Sequence, residues 1–198
     1  MTPQHNTQNS THSYDGQNKL NIRSLAIIAL MTAVLCVLGP WALLLPFSPI
    51  PVSLCTLGVY FAIILLGMRH GTISVLLYLL LGLVGLPVFT GFTGGPAKVF
   101  GPTGGYLVGY IFIALICGFV AERFPGKHVI CFLGMCLGTV ICYFLGSMWM
   151  AYQLELSLGK VFVIGVLPYI PGDLVKIVIA SSTGRTLRKY LLRAGLMK

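Results

Sequence analysis

Two charged residues stand where charge is expensive. Asp173 and Lys176 are three positions apart in Asp173-Leu-Val-Lys176, inside a stretch that is otherwise apolar from Val161 to Ala180. Residues three apart share one helix face. A charged side chain within the apolar layer of a membrane normally faces a partner or an internal cavity. A carboxylate accepts hydrogen bonds from N–H donors, and an ammonium donates to carbonyl or carboxylate oxygen. The pair can therefore read a polar ligand, or it can neutralise itself as an ion pair that helps packing. The residues alone leave both open. Catalysis has little to work with: the chain has four carboxylates, Asp15, Glu122, Glu155 and Asp173, and no evident nucleophile–base pair.

A second stretch with chemical potential runs from Gly85 to Tyr106. It is long and glycine-rich, and it carries Phe89, Phe92, Phe100 and Tyr106. Glycines let backbone amides approach a ligand closely. Thr103-Gly104 is placed to open a helix whose N-terminus favours an anionic group, and Lys98 adds a full positive charge. The bland alternative is a compact connecting turn. It is not a phosphate-binding P-loop, because no Gly-Lys-Ser/Thr follows the glycines.

The elements that must position these residues are membrane helices. Hydrophobic residues make up 57% of the 198-residue chain and charged residues 9%, far below the roughly 25% of a soluble domain. The apolar runs are Leu25–Leu45, interrupted by Gly39-Pro40, then Val52–Gly67, Thr72–Leu86, Gly105–Ala121 and Val129–Tyr152. The last region is less simple. Val161–Leu167 reads as a short helix at or dipping into the membrane surface, with the sixth span starting near Pro171. One kinked helix from Lys160 to Thr183 is the alternative. The expected fold is an all-α membrane protein of six transmembrane helices, residues 20–198, after a disordered cytoplasmic tail, residues 1–19.

Charge gives the orientation. With the N-terminus inside, cytoplasmic segments carry Lys19, Arg23, Arg69, Arg123, Lys127, Arg185, Arg188, Lys189, Arg193 and Lys198, and external segments carry Lys98 and Lys160. This asymmetry predicts that both termini are cytoplasmic, and it accounts for the net charge of +9 without nucleic-acid binding. The six cysteines lie in apolar stretches without C-x-x-C spacing, and the histidines show no metal-ligand spacing, so no metal and no cofactor is expected. Small residues recur at interval four in Ala29/Ala33, Gly105/Gly109 and Gly134/Gly138, as close helix packing requires.

Three segments, Leu83-Val-Gly-Leu-Pro-Val-Phe89, Gly101-Pro-Thr-Gly-Gly-Tyr106 and Leu167-Pro-Tyr-Ile-Pro-Gly-Asp-Leu-Val-Lys176, resemble the BioY family. These are the biotin-binding S components of energy-coupling factor transporters. The likeness covers roughly Leu25 to Arg193, and the polar N-terminal tail departs from it. The resemblance implies a non-enzymatic, six-helix S-component fold in the cell membrane that captures biotin from outside. Asp173 is then expected to meet the ureido N–H groups and Lys176 a ligand oxygen. Phe89, Phe92 or Tyr106 would contact the bicyclic ring, with Gly94 and Gly95 lining the site. Tyr143 and Gln153 are further candidates, and Lys98 would meet the valerate carboxylate. Ala29 and Ala33 match the small-residue pattern by which S components dock on a transmembrane coupling protein joined to paired ATPases, and self-oligomers are the alternative arrangement. A related vitamin or a biotin precursor is the nearest competing ligand.

Overall fold

The computed structural model describes residues 22–43, 52–124 and 127–193. The elements in chain order are α1 (Ile22–Leu38), β1 (Ala42–Leu43), β2 (Val52–Ser53), α2 (Cys55–Val84), α3 (Pro96–Val99), α4 (Gly104–Arg123), α5 (His128–Leu154), α6 (Leu158–Gly165) and α7 (Ile170–Arg193). The expected tail, residues 1–19, lies outside the described residues.

Apolar side chains cover both the inner and the outer surface of the helices. On α5, Val129, Leu133, Leu137, Val140 and Phe144 form an exposed stripe at intervals of three and four, while Met135, Cys142 and Met150 are buried. A helix that is apolar all round has its outer face in lipid. α2, α4 and most of α5 are each long and apolar enough to cross a membrane, and α6 and α7 together form a further candidate span bent by 53°. α1 is a shorter apolar helix.

The helix of the first apolar run stops at the Gly39-Pro40 interruption. It ends at Leu38, because Pro40 has no N–H to donate and its ring crowds the preceding turn. Gly39 also sits where no side chain fits: a Cβ there would lie 2.2 Å from the carbonyl oxygen of Val88 and 2.6 Å from the hydroxyl of Tyr78. The chain then makes a two-residue antiparallel pairing of β1 with β2, Ala42 opposite Ser53, a small departure from an all-helical expectation.

The second and third runs form one element, α2, broken at Gly67. Its φ of +80° and ψ of −178° lie outside helical space, in a region that only glycine enters cheaply. Gly71 then lies back against Ala62 and Ile63, so the chain folds over at Gly67 instead of continuing straight. Glu122, near the end of α4, accepts the Met68 N–H at 2.7 Å through Oε1 and so satisfies a donor freed by the break. In the last region α6 and α7 are separate helices that meet at a bend, and they are apolar and long enough to cross a membrane only as a pair. Tyr169 and Val166 form the joint, with Tyr169 N donating to the Val166 carbonyl at 3.0 Å.

Glycines set the contact of α4 with α5. A Cβ at Gly109 would lie 2.5 Å from Cys142 Sγ, one at Gly134 2.8 Å from Val120, and one at Gly138 3.2 Å from Ile113 Cα. Each helix offers small residues to the other, which brings the backbones close and lets dispersion replace the missing hydrophobic drive. The main core lies between α1, α2, α4, α5 and α7, around Leu35, Tyr60, Tyr78, Ile113, Met135 and Ile177. A second cluster, Met150, Val161 and Tyr169, joins α5 to α6 and the α7 joint.

Candidate functional site

Asp173 and Lys176 are both buried, at 7% and 8% exposure. Pro171-Gly172 sits in the first turn of α7, where proline is tolerated, so the helix can start just before the carboxylate and present both residues on one face. Lys176 Nζ lies 2.8 Å from Asp173 Oδ1. It also donates to the Ser53 carbonyl at 2.7 Å and to Thr56 Oγ1 at 3.0 Å. An ammonium has three donors, and all three are engaged. Asp173 Oδ2 accepts a hydrogen bond from the Tyr143 hydroxyl on α5, and Oδ1 has a weak one from Thr56 at 3.5 Å. Each charge is thus compensated by its opposite and by neutral partners, which is the condition for burying it.

Two cavities flank this network. A 470 Å³ cleft between α5, α6 and α7 has mostly apolar walls, including Phe144, Phe162 and Leu174, and a polar floor of Thr139, Tyr143, Ser147 and Asp173. A smaller pocket of 40 Å³ lies beneath the glycine-rich connection, lined by Ser53, Phe89, Lys98, Thr103, Tyr106 and Tyr110 among others. Ser53 links the two regions, because its carbonyl carries the Lys176 ammonium while the residue lines the smaller pocket.

The glycine-rich connection is a built structure. Phe89 and Thr93 exchange backbone hydrogen bonds at 2.9 and 3.3 Å. The Phe89 ring is buried edge-on against Tyr78, with centroids 5.5 Å apart, and sits over Gly82, where a Cβ would be 2.0 Å from it. From α5, Trp149 Nε1 donates to the Gly101 carbonyl and Gln153 Nε2 to the Phe100 carbonyl, both at 2.9 Å.

The structure thus brings Asp173, Lys176 and Tyr143 together, and brings Phe89, Lys98 and Tyr106 together in the neighbouring pocket. Of the other expected residues, Thr103 also lines the smaller pocket, and the rest lie at neither place. Phe92 is 65% exposed and packs edge-on to Trp41. Gly94 lies against the Leu86 carbonyl, and Gly95 donates its N–H to the Gly82 carbonyl. Gln153 fastens the loop. Ala29 and Ala33 are exposed on α1. Thr103 occupies the N-cap of α4 without a side-chain cap bond. Ser53 and Thr56 belong to the network and Ser147 to the larger cleft, and none of the three was anticipated. Their signal was faint: each is a hydroxyl within an apolar run, and hydroxyls also occur there simply bonding to their own helix.

Fold and site together define a helical membrane protein that holds a charged, fully partnered group beside an open cleft and a small pocket. The chain belongs to the BioY family, whose model matches residues 10–193. It is 38% identical over 179 residues to the biotin transporter BioY of Rhizobium etli, covering 84% of this chain and 93% of that one. It is 35% identical over 185 residues to the biotin transporter BioY of Lactococcus lactis, covering 87% and 94%. Among solved structures it is similar to the crystal structure of the S-component for biotin from an ECF-type ABC transporter. The TM-score is 0.80 at 32% identity, with 87% of this chain and 94% of that one covered. The family consists of transporter components rather than enzymes.

Proposed function

We propose that this protein is the substrate-binding component of a biotin uptake system in the cell membrane. It captures biotin from the external side and releases it inward with an ATP-driven coupling module. Nucleotide is handled by partner subunits, and α1 with Ala29 and Ala33 is the docking face for the transmembrane partner. Six spans follow if Gly67 divides α2 into two and α6 with α7 counts as one. The charge asymmetry of the loops then puts both termini in the cytoplasm.

The observation that carries this reading is the buried Asp173–Lys176 pair with Tyr143. A neutral head group rich in N–H and C=O groups matches a carboxylate beside an ammonium and a phenol. Asp173 takes the ureido N–H groups, Lys176 a ligand oxygen, and Lys98 the carboxylate of the tail, with Phe89 and Tyr106 against the ring system. Membership in the BioY family and the names of the relatives support biotin as the ligand.

The test is titration calorimetry of biotin against purified wild type and Asp173→Asn in detergent. Saturable wild-type binding that weakens at least about tenfold in the folded variant is expected, since a hydrogen bond to a charged group is worth roughly 1.5–3 kcal/mol. Absence of binding by folded wild type overturns the ligand. Unchanged binding in the variant moves the site away from Asp173.

A further inference from the structure

We propose that Tyr106 is a movable partition between the two cavities, and that it must swing aside for one ligand to reach both Asp173 and Lys98. This rests on the ligand placement given above. Asp173 lines the 470 Å³ cleft, and Lys98 lines the 40 Å³ pocket. Tyr106 lines the smaller pocket, and its hydroxyl lies 3.4 Å from Ser147 Oγ, a residue of the larger cleft. The same hydroxyl donates to the Gly165 carbonyl of α6 at 3.2 Å. Its ring lies on Gly146 of α5, where a Cβ would be 2.3 Å away, and it packs against both the main core and the α5–α6 cluster.

The position suits a moving part. Tyr106 is in the first turn of α4, directly after the glycine-rich connection, and is only half-buried. Both hydroxyl contacts lie at the long end of the hydrogen-bond range, so they hold the ring without locking it. Removing them does not remove the ring, but it raises the fraction of time the ring spends aside. Where binding requires the open state, the apparent association rate rises with that fraction.

The experiment is stopped-flow biotin binding to the full chain in detergent, followed by intrinsic fluorescence, for wild type, Tyr106→Phe and Ser147→Ala. Tyr106→Phe deletes both contacts and should raise the association rate roughly fivefold, and Ser147→Ala deletes one and should raise it roughly twofold, from the ordinary worth of such bonds. The Ser147 variant leaves Tyr106 itself intact, so a direct ligand contact by the phenol does not predict its effect. Wild type that binds, with association unchanged in both variants, overturns the partition alone. So does a rise confined to one variant, or a change in dissociation only. Wild type that does not bind biotin overturns the ligand reading and the partition with it.

Discussion

At the residue scale, the behaviour of Lys176 follows from where its three donors go. It ties α7 to the start of α2 through Ser53 and Thr56, and it neutralises Asp173. Deleting it leaves a buried carboxylate facing one phenol and a distant hydroxyl. Breaking a buried pair from one side costs about 3–5 kcal/mol. Lys176→Met should therefore lower the thermal unfolding temperature sharply in detergent. The double variant Asp173→Asn with Lys176→Met should recover part of that loss, because no uncompensated charge remains. Thermal unfolding of wild type, Asp173→Asn, Lys176→Met and the double variant checks this, and a loss in the double variant equal to the sum of the two single losses would show that the pair is not coupled. The same residues show how much of the site is legible in the sequence. A carboxylate and an ammonium in an apolar run are conspicuous, since each needs a partner. Tyr143 was readable only as a candidate, and Ser53 and Ser147 not at all, because a hydroxyl in such a run bonds its own helix as readily as a distant side chain. Phe92 and Phe89 look alike as letters. Only the packing of Phe89 over Gly82 and the φ of +56° at Phe92 separate a buried anchor from an exposed ring.

At the element scale, the apolar runs marked most helices to within a few residues, because length and hydropathy are what a bilayer selects. The departures occur where tertiary contact decides. Gly39-Pro40 marks the stop of α1 at Leu38 in the sequence, but the packing of Gly39 beneath Val88 and Tyr78 has no local signal. The break at Gly67 reads in the sequence as the boundary before Arg69-His70, yet its geometry depends on Glu122. Gly67→Ala places a Cβ 2.8 Å from the Glu122 carboxylate at a φ of +80°. Strain of that kind costs roughly 1–3 kcal/mol, so the variant should unfold at a lower temperature. Glu122→Ala removes the acceptor for Met68 N–H and should cost about 1–2 kcal/mol, whereas Glu122→Gln keeps an acceptor oxygen and should cost less. Equal thermal stability of the Ala and Gln variants would show that the carboxyl oxygen does not hold the break.

At the scale of the whole molecule, the same contact bears on how many times the chain crosses the membrane. If α2 crossed once, Gly67 would lie mid-layer, and Arg69 and Glu122 would be carried into lipid with it. Charged residues there cost several kcal/mol each. Arg69, Glu122 and Arg123 are exposed, and Glu122 meets Gly67 from the end of α4, after a helix long enough to cross. The six-span reading therefore puts the end of α4 and the break at Gly67 at one membrane edge. The two counts differ in parity. With α2 divided, α1, the two halves of α2, α4, α5 and the bent α6–α7 pair make six spans and return the chain to its starting side. With α2 undivided there are five, and the ends lie on opposite sides. Reporter fusions decide between them: a reporter active only in the cytoplasm should work after residue 198 and ahead of residue 22. One active only outside should work when inserted beside Lys98. A C-terminal reporter on the side opposite the N-terminal one, together with a reporter beside Lys98 that works only in the cytoplasm, would refute the division at Gly67 and the external placement of Lys98.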